Sequence, residues 1–162
     1  MQLHANVRAV QDVLDRADAR DGSGTPARVR ILPEAVHTAA AAATALGIEV
    51  GQIANSLVFD ADGGPLLVLT SGAHRVDVPR LAAALGLTTL RRATPEFVRE
   101  HTGQPIGGVA PVGHPGPVRT LVDTALDEYT EVWAAGGVPQ AVFPTTYAEL
   151  LRITGGTPAE VA

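Results

Sequence analysis

The chain contains no cysteine and no lysine. The first absence excludes a disulfide framework, a thiol nucleophile and any thiolate metal site, and leaves the redox compartment unconstrained. The second excludes a Schiff-base lysine, hence ordinary pyridoxal phosphate chemistry, and a P-loop lysine as well. All twelve basic residues are therefore arginine. Long apolar runs are also missing: none approaches the roughly 18 residues needed to cross a bilayer. Gln2, His4, Asn6 and Arg8 interrupt the start, so it has no signal-peptide core, and a cytoplasmic protein without a membrane partner is expected. Positive charge is scarce. A formal net charge of −5 is opposite in sign to that of a protein dominated by phosphate contacts, so DNA is not an expected partner. Arg75, Arg80, Arg91, Arg92 and Arg99 nevertheless crowd one segment, which leaves room for a local basic patch, although solvated helix faces are the commoner role of such arginines.

What is present suffices for one core. The 162 residues are 46% hydrophobic and 18% charged, which suits a folded α/β domain and argues against disorder. Val7, Val10, Val13, Leu14 and Ala17 recur at helical spacing, predicting an amphipathic helix from Asn6 to about Ala19. Asp21 to Pro26 then breaks regular structure, dividing an N-terminal helix and linker (1–24) from a main domain (25–162). Within the main domain, Val29–Leu32 reads as a strand, and Thr38 caps an alanine-rich helix that stops at Gly47. Ile53–Asp60 and Leu66–Thr70 read as a hairpin. Two further helices start at Asp77 and Thr94, each with a proline in its first turn, and end at Gly86 and Gly103. Thr88–Arg92, Val118–Val122, Thr130–Ala134 and Gln140–Phe143 complete the strands, and Thr146 with Glu149 forms a capping box for a last helix ending before Gly155. The elements lack a regular βαβ rhythm and a G-x-G-x-x-G, which disfavours a dinucleotide fold.

Metal chemistry finds little support. The five histidines, at positions 4, 37, 74, 101 and 114, show no paired ligand spacing. Asp60 and Asp62 have part of a calcium-loop spacing without its closing glutamate, so turn chemistry is the expected role. Ser71 is not in a nucleophile elbow. The unusual segment is Gly103–Pro117, with five glycines and four prolines in fifteen residues, too many special backbone positions for a plain linker.

That segment contains Gly107-Gly108-Val109-Ala110-Pro111-Val112-Gly113, which resembles the G-x-x-x-P loop of the YbaK/ProX aminoacyl-tRNA deacylases. Asn55-Ser56-Leu57-Val58-Phe59 stands where that family has a K-T/S-L strand, and Val76-Asp77, Leu85-Gly86, Ala135-Gly136-Gly137 and Glu149-Leu150 follow in the family's order. The resemblance covers roughly Val29 to Ile153 and implies a mixed, curved, barrel-like sheet surrounded by short helices. It implies hydrolysis, without metal or organic cofactor, of the ester joining a wrong amino acid to the 3′ end of a proline-type transfer RNA. The partner is then aminoacyl-tRNA, with prolyl-tRNA synthetase as a further candidate. Family members occur free-standing or inserted in that synthetase, and a chain with no room for a synthetase domain is expected to work in trans.

On this reading Asn55, Gly107 and Gly108 are the catalytic candidates. An ester is already activated, so placing a water and stabilising the developing oxyanion with glycine-loop amides is sufficient chemistry. Ser56, Val109, Ala110, Pro111, Gly113, His114 and Asp123 are the candidate substrate contacts. Asp123 equally suits capping of the structure that follows it. Asn55 and Ser56 are strand neighbours, so only one is expected to face a pocket. The departure from the family is Asn55 itself: it replaces a lysine, exchanging three charged donors for a shorter, uncharged amide. The family's histidine before a late proline is also absent, since Phe143 precedes Pro144. The lost lysine and the negative net charge motivate an alternative, a non-catalytic module that binds an amino acid, an aminoacyl ester or a partner protein.

Overall fold

The structure is a computed structural model that describes residues 4–162; the first three residues of the proposed N-terminal unit lie outside it. Helix α1 (Ala5–Arg16) buries Val7, Val10 and Leu14. Val10 and Leu14 belong to the largest apolar cluster, together with Leu67, Leu69, Val122, Phe143 and Leu150. The segment read as a linker is a closed turn. Arg20 bridges to Pro26, and the Asp21 carboxylate accepts from the Ser23 and Thr25 amides.

Eight strands form one sheet: β1 (Arg30–Ile31), β2 (Ile53–Ala61), β3 (Gly64–Ser71), β4 (Leu90–Arg92), β5 (Arg119–Asp123), β6 (Val132–Ala135), β7 (Ala141–Thr145) and β8 (Thr157–Ala159). Their order is β1-β7-β6-β2-β3-β5-β8, with β4 also paired to β2. The sheet is mixed, with β2/β6, β3/β5 and β5/β8 parallel and the remaining pairs antiparallel. It does not close into a barrel, since β1 and β8 are its two ends.

Leu66, Leu67, Val68 and Leu69 of β3 are all fully buried, the continuous apolar run of a strand covered on both faces. Leu67 and Leu69 join the main cluster, while Leu66 and Val68 pack with Phe59, Leu81 and Leu121 on the other side. The hairpin turn is the two-residue Asp62–Gly63, both at positive φ, as a type I′ turn requires. The Asp62 carboxylate accepts from the Thr88 and Thr89 amides, so this acid organises a loop.

The remaining helices are α2 (Ala39–Leu46), α3 (Val78–Leu85), α4 (Pro95–Thr102) and α5 (Tyr147–Thr154), capped by Thr38, Asp77, Thr94 and Thr146 and each followed by a left-handed glycine. The capping box expected at α5 is only half formed. Thr146 accepts from the Glu149 amide, but the Glu149 carboxylate binds the Arg20 amide and Arg152 instead of turning back. Strand β8 and the short 3-10 turn at Val50–Gln52 have no counterpart in the sequence reading, while the helical segment that Asp123 was suited to cap is a 3-10 turn at Thr124–Glu128. Among the described residues no helix is long and apolar enough to cross a membrane.

Candidate functional site

A cleft of about 280 Å³ opens beside β2. It is bounded by Asn55 and Ser56, by Gly107 and Val109 of the glycine-proline loop, and by the small or apolar side chains of Ala42, Ile53, Trp133 and Val142. Its position follows from strand pairing. On one edge β2 pairs with β3 along its whole length, whereas on the other edge it pairs with β6 only at Ile53 and Ala54, and with β4 only from Phe59. Residues 55–57 therefore have no strand opposite them on that edge. The cleft occupies the gap, and consecutive residues line it because it adjoins a strand edge as well as a face.

Asn55 is half-buried, and its side chain makes no hydrogen bond to any described residue. Ser56 Oγ is fully enclosed and likewise has no partner. Across the gap, Pro105–Gly108 form a turn closed by the Gly108 amide donating to the Pro105 carbonyl. Gly107, at φ 89°, takes the third position of that turn, where a left-handed residue is needed. The two loop glycines serve different ends. A Cβ on Gly108 would lie 2.6–2.8 Å from the backbone of Val138 and Pro139, so its small size permits two chain segments to touch. Its amide is used within the turn, and the Ala110 amide is used by the buried Gln104 side chain. The Gly107 and Val109 amides make no hydrogen bond among the described residues. Gln104, absent from the sequence-derived candidates, holds the loop from within by also donating to the Val112 carbonyl.

The other candidates lie elsewhere. Pro111, Gly113 and His114 line a separate depression near Val13 and Ile153. The His114 Nε2 donates to the Ala110 carbonyl at 2.8 Å. Burial holds this imidazole below its ordinary value of 6.5, with the hydrogen bond to Ala110 opposing. Ala110 is fully buried. Asp123, 1% exposed, accepts from the Ser71 and Ala125 amides and from His74 Nδ1 at 2.8 Å. Its carboxylate caps the 3-10 turn that follows, the second of the two roles the sequence allowed.

Two polar lining residues come together only through folding. His37 precedes α2, and a Cβ on Gly107 would sit 3.2 Å from its Nδ1. Arg92, at the end of β4, is exposed at the cleft, with its guanidinium 5.8 Å from the Phe59 ring centroid and no ion pair among the described residues. Arg30 lies 4.9 Å over Trp133, another lining residue. Among the described residues, no aspartate or glutamate lines the cleft.

Comparison with known proteins bears on the whole of this arrangement. A family model described as the aminoacyl-tRNA editing domain matches residues 33–153. A proline–tRNA ligase of Nitratidesulfovibrio vulgaris is 36% identical over 91 residues, covering 56% of this chain but 16% of the ligase. The chain thus spans about a sixth of the length of such curated relatives. An uncharacterized protein of Bacillus subtilis is 30% identical over 110 residues, 67% of this chain and 69% of that protein. A crystal structure provisionally described as a trans-editing enzyme for prolyl tRNA synthetase is 44% identical, with a TM-score of 0.87, covering 99% of this chain and 98% of the other.

Proposed function

The chain belongs to the aminoacyl-tRNA editing domain family, and from that premise we propose that it hydrolyses, in trans, the ester joining a mischarged amino acid to a proline-type transfer RNA. The observation that carries this reading is the single cleft joining Asn55 to Gly107. Its volume and small-residue lining suit one aminoacyl group. The unengaged Gly107 amide is a candidate donor to the carbonyl oxygen as negative charge develops there. Asn55, with no hydrogen-bond partner among the described residues, offers an amide that can orient the attacking water. A bond forms between the water oxygen and the carbonyl carbon, the ester C–O bond breaks, and the water's proton finishes on the ribose oxygen. Arg92, a cation without a carboxylate partner at the cleft, is the proposed contact for a phosphate near the RNA terminus. His114, Gly113, Pro111 and Asp123 are proposed to support the fold around this site, since none of them lines the cleft.

Incubating the chain with proline transfer RNA mischarged with alanine, serine, threonine or cysteine tests the proposal. Release of at least one amino acid faster than its spontaneous hydrolysis is expected, with R92A lowering the rate and its salt dependence. No acceleration with any of the four overturns the catalytic reading. The substitution of the family's lysine by Asn55 favours a second reading, a module that binds without hydrolysing. N55K separates the two: binding by the native chain with hydrolysis only after N55K identifies a site that has lost catalysis.

A further inference from the structure

The gap beside β2 exposes backbone as well as side chains. The Ile53 carbonyl accepts from the Gly72 amide on the β3 side, and the Val58 carbonyl accepts from the Ala93 amide on the opposite side. Because the N–H and C=O of one strand residue point to the same edge and alternate from residue to residue, those of Asn55 and Leu57 face β3. Those of Ser56 face the gap. Pairing with β6 ends at Ala54 and pairing with β4 begins at Phe59, so no strand meets the Ser56 donor and acceptor. The hydroxyl of the same residue is enclosed without a partner. Buried polar groups of this kind are rare in native folds unless water or a ligand completes them.

We propose that this open edge reads the aminoacyl group: the Ser56 N–H donates to the ester carbonyl oxygen, and the Ser56 C=O accepts from the α-ammonium. The inference rests on the deacylase reading and adds a recognition element to it. An aminoacyl ester carries its ammonium and carbonyl on adjacent carbons, the same donor and acceptor spacing that one residue of an antiparallel strand presents to its partner. The gap has the length of one such residue, and a cleft of about 280 Å³ holds an amino acid but not a strand. The ammonium needs an acceptor, and with no carboxylate in the lining a backbone carbonyl meets that need through a charge-assisted hydrogen bond. The contact uses main chain, so it selects aminoacyl esters over other acyl esters whatever their side chain. With the Gly107 amide it supplies two donors to one oxyanion.

The test is amide hydrogen exchange on the full, isotopically labelled chain. The probe is alanine joined by a stable amide to 3′-amino-3′-deoxyadenosine, with the propionyl compound, which lacks the ammonium, as its control. In the free protein the Ser56 amide should exchange at least about tenfold faster than those of Asn55 and Leu57, which pair with β3. The alanyl probe should slow Ser56 by a similar factor, and the propionyl compound should bind about tenfold more weakly. Equal protection of residues 55, 56 and 57 in the free chain overturns the open edge. If the alanyl probe perturbs Gly107 and Val109 but leaves Ser56 unchanged, the strand-edge contact is wrong while the deacylase reading stands. If no cleft amide responds to either compound, the site itself is wrong and this inference falls with it.

Discussion

Gly108 and Gly107 stand side by side in one motif, yet they answer to different forces. At Gly107 the constraint is the backbone angle of a turn, while at Gly108 it is the approach of Val138 and Pro139. G108A is expected to force those segments apart and lower stability by about 1–3 kcal/mol, measurable by urea denaturation. An unchanged midpoint would show that residues 138–139 yield freely. His114 shows a different residue-scale consequence. Its imidazole is held below 6.5 by burial, so the unfolded chain binds a proton that the folded chain refuses as pH falls beneath that value. Stability attributable to this group is therefore complete above 6.5 and diminishes as pH drops toward the lowered value. Unfolding free energies at pH 7.5 and 5.5 should fall more for the native chain than for H114Q, which retains a donor for the Ala110 carbonyl. Asp21, Asp62 and Glu149, all shifted downward from ordinary values of 3.8 to 4.5, stay ionised across that interval and do not confuse the comparison.

At the scale of elements, the helices were readable because their signals are local. Thr38 to Gly47, Asp77 to Gly86, Thr94 to Gly103 and Thr146 to Gly155 each carry a side-chain oxygen at the start and a left-handed glycine at the end. Strand β8 was not readable. Thr157-Pro158-Ala159 has no alternation, and it is a strand only because it lies parallel to β5. The capping box misled for a related reason: the Thr146/Glu149 spacing is correct, but tertiary structure brings the Arg20 amide to the carboxylate, and Arg152 holds it from the next turn of the same helix. That carboxylate joins α5 to the segment after α1, and its side chain is only 17% exposed. E149Q should cost about 1–2 kcal/mol in urea denaturation with far-UV helicity unchanged, because the Thr146 cap remains. A loss of helicity would instead assign the glutamate to the helix itself.

For the whole molecule, the family's motif order in the sequence led to the same family that the matching editing-domain model and the fold comparison identify. Composition had already removed thiol, Schiff-base and P-loop chemistry, and these exclusions need no coordinates because they depend only on which atoms exist. Caps and the hairpin turn between Asp60 and Pro65 were likewise legible, since neighbours in sequence determine them, whereas the burial of β3 on both faces comes from tertiary packing. What only the tertiary structure decided is which residues share a cavity. Asn55, Gly107, His37 and Arg92 meet because β2 loses β6 before it gains β4, whereas Asp123 turns inward to Ser71 and His74. Strand partners are chosen by contacts across the entire chain, and a local pattern of residues carries no record of where such pairing stops.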